Sequence, residues 1–248
     1  SGTMLKAIAR EAGLSDEGFV TDAVRPTTVK TRVIGNNQQI VRLDRETRSD
    51  VGSDIVDAVI NVLSTRPTLK GIILEDYNKG FLTREMITSV IAMARERNIP
   101  VFVDPKQHNI DAYVGAYLIK PNRKEAQELL GSVLTTTDDV QRAGIELRER
   151  LKADNVLITL GSAGMMLFEA DGEISSVPTV AKRVADVSGA GDTAIATLAA
   201  MVAAGAHIRE AAALANVAAG VVVAEPGIVS ITAQTLLDAV IDEVEVQR

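Results

Sequence analysis

The 248-residue sequence contains no cysteine and no tryptophan, and aromatic residues make up only 3% of it. Without cysteine the chain has no disulfides, no thiolate metal ligands and no cysteine nucleophile. With so few aromatic rings it offers little surface on which the bases of a single-stranded nucleic acid could stack. The two histidines, His108 and His207, are far apart and lack metal-ligand spacing. We therefore expect neither a zinc site nor a histidine-based catalytic triad.

Blocks of basic residues and long apolar runs are also missing. The chain has 33 acidic and 26 basic residues, a net charge of -7, so we expect neither nucleic acid nor an anionic membrane as a partner. No apolar segment is long enough to cross a bilayer and no signal peptide is visible, which makes the cytoplasm the expected location. The content of 46% hydrophobic and 24% charged residues is typical of a protein with a sizeable core, and the length suits one α/β domain.

Strand-like and helix-like segments alternate over most of the chain. This rhythm predicts a three-layer α/β/α domain, with helices on both faces of a mainly parallel sheet. The predicted strands are 69–74, 100–104, 116–120, 156–160 and 165–169, and the predicted helices are 84–97, 109–114, 123–130, 138–152, 193–204, 209–223 and 233–244. Ligands of such sheets bind at the carboxyl ends of the strands. Polar motifs at 75–80, 104–106, 121–125 and 159–164 follow predicted strands, so we expect them to share one site.

The N-terminal part of the chain departs from this rhythm. Two extended segments, 28–34 and 39–43, are joined by a short loop that contains Gly35-Asn36-Asn37. Such a pattern predicts a β-hairpin. The hairpin, at about 26–45, is either a lid that projects from the main sheet or a surface hairpin without a role.

The segment from Ala185 to Thr193 is the most informative part of the sequence. Its small residues allow a tight turn whose N–H groups point at an anion, and the alanine-rich run that follows predicts a helix. The turn would then lie at a helix N-terminus, where the helix dipole favours negative charge. Asp192 would be placed to accept a proton from an attacking hydroxyl. The alternative is a glycine-rich connection with a helix-capping aspartate.

Three further features allow both a structural and a nucleotide-binding interpretation. Asn122 and Glu125 fit a capping box, but they also face one way at a helix start and are able to hold the waters of a magnesium ion. Gly161 and Gly164 form either a tight hairpin turn or a place where a nucleotide approaches the backbone. Asn216, a lone polar residue in an alanine-rich helix, is either a packing amide or a contact to a base.

Two more motifs place a carboxylate and a lysine beyond a strand. They are Asp76-Tyr-Asn-Lys79-Gly and Asp104-Pro-Lys106. The lysines either attract an anionic substrate or the phosphates of a nucleotide, or they are solvated loop residues.

Together, the Asp186-Val-Ser-Gly-Ala-Gly-Asp192 turn, the Asn122-x-x-Glu125 pair and the Gly161/Gly164 turn resemble the ribokinase-like (PfkB) carbohydrate kinases. The resemblance runs from about residue 22 to the C-terminus. The segments 31–44, 76–80 and 103–106 are similar to the members of this family that phosphorylate heptose 7-phosphate at O1, a step towards ADP-heptose for lipopolysaccharide.

The resemblance implies roles for individual residues, with ATP, Mg²⁺ and a monovalent cation such as K⁺ as ligands. Asp192 would be the catalytic base, and Gly189, Ala190 and Gly191 would form an anion hole for the transferred phosphoryl group. Asn122, Arg123, Lys124 and Glu125 would belong to the ATP and magnesium region, with Glu125 holding the metal through water. Thr159, Gly161, Gly164 and Asn216 would line the nucleotide, and Asp186 would help to bind the monovalent cation. The sugar phosphate would be bound by Asn37, Gln39, Asp76, Lys79, Asp104, Lys106 and Asp192.

Family members begin with a Gly-Asp-x-x-x-Asp-like segment and a Gly-Gly-x-x-x-Asn-like segment that contact the sugar. Neither pattern occurs in this sequence. We therefore expect residues 1–248 to be a single ribokinase-like domain that is N-terminally incomplete. Related proteins pair their lids, which implies a homodimer through the hairpin.

Overall fold

The computed structural model describes residues 2–35, 38–181 and 183–246. Asn37 and the side chain of Gln39, both predicted to bind substrate, lie outside the described part. The chain divides into two compact units, one of Ser1–Leu69 with Tyr77–Val90 and one of Lys70–Asp76 with Ile91–Arg248. The expectation of a single domain stays a prediction.

The first unit contains the predicted hairpin. Strands β1 (Val29–Gly35) and β2 (Gln38–Arg45) pair antiparallel, with a shift of register after Val33. Helices α1 (Gly2–Glu11) and α2 (Ser53–Ser64), which the sequence analysis did not predict, complete the regular elements described in this unit. Helix α3 (Arg84–Glu96) contributes residues to both units.

The second unit is built on a six-stranded sheet whose strands lie in the order of the sequence. They are β3 (Ile72–Glu75), β4 (Val101–Asp104), β5 (Leu118–Ile119), β6 (Asn155–Thr159), β7 (Met165–Phe168) and β8 (Ile174–Val177). The first four strands are parallel, and β7 and β8 are added antiparallel. The mainly parallel sheet is confirmed, and β8 is an addition that the sequence analysis did not predict.

Among the described residues of the second unit, two 3₁₀ segments and five helices connect or follow these strands. They are the 3₁₀ segments Gln107–Ala112 and Gly161–Ala163 and helices α4 (Arg123–Leu130), α5 (Thr137–Leu151), α6 (Ala190–Ala203), α7 (Ile208–Val223) and α8 (Ala233–Val246). Capping boxes begin three of the helices, α4, α5 and α7. In the described part of the chain no helix is both long enough and apolar enough to span a membrane.

Helices cover both faces of the sheet. Leu167 of β7 belongs to one buried cluster with Ile195 of α6 and Ala211 of α7. Its neighbour Phe168 faces the opposite side, because successive side chains of a strand alternate. There, the Phe168 ring lies so close to α5 that a Cβ added at Gly144 would stand 2.1 Å from it. The three-layer arrangement is therefore confirmed.

Candidate active site

The carboxyl ends of the four parallel strands bring the polar motifs of the second unit to one edge of the sheet. Glu75, Asp104 and Thr159 are the last residues of β3, β4 and β6, and Lys120 directly follows β5. Glu75 pairs with Asp104 across β3 and β4, and Thr159 forms a parallel bridge with Asn122. Residues of the motifs at 75–80, 104–106, 121–125 and 159–164 thus lie at one edge of the sheet, and their sharing of one site stays a prediction.

The turn that precedes α6 lies at a helix N-terminus, as predicted. Gly189 adopts a left-handed conformation with φ of 83°, and α6 begins at Ala190, so Gly191 and Asp192 occupy its first turn. The backbone N–H of Ser188 donates to Asp186 Oδ1 over 2.9 Å, which tightens the turn. Asp192 is exposed. Since the first N–H groups of a helix have no intrahelical acceptor, this turn is suited to binding an anion.

A cleft of about 250 Å³ lies beside this turn and is lined mainly by apolar atoms. Six residues that the resemblance assigns to nucleotide or phosphate binding line it: Thr159, Gly161, Gly164, Ala190, Gly191 and Asn216. The valines Val184, Val187 and Val223 line it as well. Ligand clefts typically combine such an apolar lining with a few polar groups that fix orientation.

Gly161 and Gly164 have a structural role in addition to their place in the cleft. They belong to the turn between the antiparallel strands β6 and β7, so the hairpin interpretation is confirmed. Gly164 has φ of 84°, and a Cβ there would stand 2.1 Å from the carbonyl oxygen of Val177. The absence of a side chain at Gly164 is thus required for packing, and it also leaves the cleft open.

Asn216 is buried, and its side-chain Nδ2 donates to the carbonyl oxygen of Pro178 over 2.7 Å. This bond makes it a packing amide between α7 and the segment after β8. Because Asn216 also lines the cleft, contact with a bound base remains a prediction.

The capping box of α4 is present. The Glu125 N–H donates to Asn122 Oδ1, and the Asn122 N–H donates to Glu125 Oε2, each over 2.9 Å. Glu125 Oε1 also accepts a bond from Lys106 Nζ. Neither Arg123 nor Lys124 is among the cleft-lining residues, and Lys124 is exposed beside Glu128. The assignment of the four residues Asn122 to Glu125 to the ATP region therefore remains a prediction.

The donor set at the strand ends fits a water-mediated magnesium ion better than a direct carboxylate cage. Among the described residues no group of three His, Cys, Asp or Glu side chains is arranged to hold a metal. Magnesium usually keeps several waters and needs few protein carboxylates. Each oxygen of Glu125 accepts one protein bond and retains a lone pair for a metal-bound water.

Alternating charges connect α4 to the centre of the sheet edge. Lys106 Nζ bonds Glu125 and lies 3.7 Å from Asp104 Oδ1, while Lys120 Nζ lies 2.7 Å from Asp104 Oδ2. Burial lowers the pKa of Lys106, but the bond to Glu125 and the attraction of nearby carboxylates outweigh it and raise the pKa above its usual value. Lys106 is therefore firmly charged, and the lysine predicted as a substrate contact has carboxylate partners within the site.

Two residues of this site were missed by the sequence analysis, Glu75 and Lys120. Burial, followed by the negative charges of Asp104 and Asp192, raises the pKa of Glu75 to about 7, against the opposing effect of Lys120 and Lys106. Lys120 is 2% exposed. Both residues could have been identified from the sequence, because each is a charged residue at the end of an apolar segment that is predicted to be a strand.

Asp76 is directed into the protein interior. It is 2% exposed, and its Oδ2 accepts bonds from Tyr113 Oη at 2.6 Å and Asn109 Nδ2 at 2.8 Å. Burial and the bond to Asp76 raise the pKa of the Tyr113 hydroxyl, so it remains a donor. The geometry thus supports a framework role, and the substrate contact predicted for Asp76 stays a prediction.

Lys79 belongs to the first unit, where it pairs with Glu46 through a 2.6 Å contact from Nζ to Oε1. The Arg25 guanidinium donates to the carbonyl oxygens of Ser49, Thr47 and Lys79 and so joins the two segments of this unit. Lys79 therefore has a carboxylate partner, and its predicted contact with substrate is untested.

Comparison with known proteins places these features in a family. A family model described as pfkB family carbohydrate kinase matches residues 1–235. The chain is 41% identical over 239 residues to the bifunctional protein HldE of Nitratiruptor sp., covering 95% of this chain and 50% of that protein. It thus spans about half the length of the curated relatives it matches.

Solved structures show the same fold at low sequence identity. The phosphofructokinase-2 of Escherichia coli, solved in complex with potassium, aligns with a TM-score of 0.81 at 17% identity, over 100% of this chain and 79% of that one. A ribokinase from Thermotoga maritima aligns with a TM-score of 0.71 at 20% identity, over 96% and 76% of the two chains. From the family match and the 41% identical relative, we conclude that this chain belongs to the pfkB family of carbohydrate kinases.

Proposed function

We propose that this chain is an ATP-dependent kinase that phosphorylates heptose 7-phosphate at O1 to give heptose 1,7-bisphosphate, a precursor of ADP-heptose and lipopolysaccharide. One observation carries the kinase assignment: Gly191 and Asp192 lie in the first turn of α6, and Gly191 also lines the apolar cleft. The choice of sugar rests on the resemblance of segments 31–44, 76–80 and 103–106, and relatives named HldE, about 40% identical, support it.

In the proposed reaction Asp192 acts as the general base. Its carboxylate accepts the proton of the sugar hydroxyl while the hydroxyl oxygen forms a bond to the γ-phosphorus of ATP. The bond from that phosphorus to the bridging oxygen breaks, and ADP leaves with the electron pair. The backbone N–H groups of residues 189–191 stabilise charge on the transferred phosphoryl group. Positioning and charge stabilisation are the main protein contributions to phosphoryl transfer.

The cleft supplies the nucleotide site of this proposal. Its apolar wall, with Val184, Val187 and Val223, suits an adenine ring, while Gly161 and Gly164 allow the ribose to approach the backbone. Glu125 would hold magnesium through water, and the metal would supply charge neutralisation for the phosphates. Asp186 would help to hold a potassium ion.

The proposal extends to the assembly and its location. We propose a homodimer that forms through the hairpin and acts in the cytoplasm, where ATP is available. The exposed apolar side chains of the hairpin support pairing: Ile40 is 69% exposed and Leu43 is 58% exposed. Light scattering should therefore give twice the chain mass, and Ile40→Glu should give the mass of a single chain. A wild-type monomer would contradict the dimer.

The kinase assignment is tested by ADP release with heptose 7-phosphate in the wild type and in Asp192→Asn. We expect the variant to lose about 10²–10⁴-fold in kcat, the contribution typical of a positioned general base. Asp138→Asn is the matched control, because Asp138 is an exposed aspartate in the first turn of α5. An active Asp192→Asn enzyme would exclude Asp192 as the base.

A panel of sugars and nucleosides tests the substrate in the same assay. Turnover with another acceptor but not with heptose 7-phosphate would contradict the proposed substrate and support the kinase assignment. ATP binding in a calorimeter without turnover of any acceptor would indicate a nucleotide-binding module instead.

A further inference from the structure

Lys120 is a buried cation that no motif of the sequence analysis includes. It follows the last residue of β5, and its backbone N–H donates to the carbonyl oxygen of Val103 over 2.9 Å, which continues the parallel pairing of the strands. The residue is 2% exposed. A charge in this position is costly unless it is paired and hydrogen-bonded, because burial removes its hydration.

The Lys120 ammonium lies against the turn that precedes α6. A Cβ added at Gly191 would stand 3.6 Å from Lys120 Nζ and 3.9 Å from Asp104 Oδ2. Because Gly191 has no side chain, nothing of that residue separates the ammonium from the peptide groups of the turn. The same glycine lines the nucleotide cleft. Lys120 Nζ is therefore within a few ångströms of the backbone that forms the proposed anion hole.

The bond to Asp104 does not use the full donor capacity of Lys120. An ammonium group has three N–H donors, and within the described part of the chain the side-chain hydrogen bond of Lys120 is the one to Asp104 Oδ2 at 2.7 Å. Asp104 has a second cationic neighbour in Lys106, at 3.7 Å from its other oxygen. The ion pair with Asp104 therefore uses only part of the hydrogen-bonding capacity of the Lys120 ammonium group.

The charges that surround Lys120 at this edge are mainly negative. Lys120 opposes the effect of Asp104 and Asp192 on Glu75, which places it within electrostatic reach of the strand ends and of the first turn of α6. A phosphoryl group that carries negative charge would meet these carboxylates without a nearby cation to offset them. The described cations among these groups are Lys106, which bonds Glu125, and Lys120, which lies beside Gly191.

We propose that Lys120 is a further catalytic residue, whose ammonium contacts the oxygens of the transferred phosphoryl group at the Gly191 turn. The inference rests on the proposed kinase function and adds a side-chain cation to the backbone anion hole. Lys120 would favour the transition state, in which negative charge spreads over those oxygens. Asp104 would then offset the cost of burying the ammonium group, whose contact with the phosphoryl oxygens would not depend on it.

A double-mutant cycle separates this role from a purely structural ion pair. Lys120→Met retains the length of the side chain and removes its charge, and Asp104→Asn removes the partner charge. If Lys120 contacts the phosphoryl group, Lys120→Met lowers kcat by about 100-fold or more, as for the loss of one anion-hole donor. A loss of similar size persists when Lys120→Met is added to Asp104→Asn.

The cycle also covers a failure of the single variant to fold. Lys120→Met leaves Asp104 buried beside an apolar side chain, whereas the double variant contains neither charge, so its comparison with Asp104→Asn decides the question. Thermal unfolding followed by circular dichroism verifies that each compared variant is folded. Lys70→Met serves as the control, because Lys70 is an exposed lysine before β3, at the opposite end of that strand. A double variant within about threefold of Asp104→Asn in kcat would overturn the proposal.

Binding of ATP and ADP by calorimetry gives a readout that does not depend on turnover. The γ-phosphate is the part of ATP that Lys120 would contact, so Lys120→Met should reduce the preference for ATP over ADP by about tenfold, the size of one hydrogen bond to a charged group. ADP affinity should remain within about threefold of wild type. An unchanged preference for ATP would overturn the role of Lys120. A wild type that binds ATP but phosphorylates no sugar would instead refute the proposed function.

Discussion

Replacing Glu75 by glutamine is expected to change how the stability of this chain depends on pH. Burial and the charges of Asp104 and Asp192 raise the pKa of Glu75 from 4.5, its ordinary value, to about 7 in the folded protein. Between pH 4.5 and about pH 7 the Glu75 carboxyl group is mostly protonated in the folded chain and mostly ionised in the unfolded chain. The contribution of Glu75 to stability is therefore greatest at low pH and is lost as the pH rises through about 7. Glutamine remains neutral and removes this dependence.

The size of the effect follows from the two pKa values. A difference of about 2.5 pH units at 1.36 kcal/mol per unit corresponds to ~3 kcal/mol. Glu75 is only partly buried, so solvent screening reduces the effect to about 1–2 kcal/mol. We thus expect the free energy of unfolding of Glu75→Gln, relative to wild type, to rise by about 1–2 kcal/mol between pH 4.5 and about pH 8.

Urea unfolding followed by far-ultraviolet circular dichroism, repeated at several pH values for both proteins, measures this difference. The other titrating groups are common to both proteins, so the difference isolates Glu75. Glu149→Gln, which replaces an exposed glutamate of α5, is the control and should show no such rise. A difference that stays constant with pH, or that falls as the pH rises, would refute the assignment of a raised pKa to Glu75.

Three further substitutions test the geometry of the second unit, each by urea unfolding and, for Gly191→Ala, also by ADP release. Gly164→Ala should lose about 2 kcal/mol more than Gly172→Ala, because both have positive φ but only Gly164 faces a carbonyl oxygen of β8 at 2.1 Å from an added Cβ. Gly191→Ala should have an unchanged free energy of unfolding, because its Cβ would lie at an ordinary contact distance of 3.6 Å from Lys120 Nζ. Its kcat should fall about tenfold or more, because the added methyl group narrows the proposed anion hole. Thr136→Ala should lose about 1 kcal/mol, because it removes the capping hydroxyl of α5.

The sequence predicted the regular elements best where local chemistry and packing agree. Helix α4, Arg123–Leu130, has the predicted bounds because its capping box and its αL glycine mark both ends. Helix α6 begins at Ala190 rather than at 193, because Gly189 supplies the left-handed N-cap and the Ala-Gly-Asp that follows already forms the first turn. Strand β8 was missed because half of its residues, Ser175 and Ser176, are polar and it lies at the edge of the sheet.

Helix α2 was missed for a different reason. Its 12 residues include five β-branched side chains, Ile55, Val56, Val59, Ile60 and Val62, whose restricted χ1 angles lower helix propensity. Packing of its apolar side, with Val56 buried, outweighs that preference. Tertiary contact of this kind is not visible in a local pattern.

For the site, the sequence identified residues that are close along the chain better than pairs that meet through the fold. The turn before α6 and the Asn122–Glu125 box are local motifs, and both have the predicted geometry. The contact of Lys120 with Asp104 joins residues that are 16 positions apart and depends on parallel pairing of β4 and β5. The register of β4 and β5 determines which charged side chains come into contact, and residue spacing in the sequence does not predict that register.

The charges at the strand ends bear on how a chain of net charge -7 would bind the polyanionic nucleotide of the proposed reaction. Glu75, Asp104, Glu125 and Asp192 provide more negative groups than Lys106 and Lys120 provide positive ones. Free nucleotide phosphates would therefore be repelled unless a metal ion accompanies them. In the proposed reaction the backbone N–H groups at the start of α6 and the two lysines would contact the phosphates, and magnesium would enter the site bound to the nucleotide. The excess of carboxylates thereby favours the metal-bound nucleotide over the free one and keeps one carboxylate, Asp192, available for the proton.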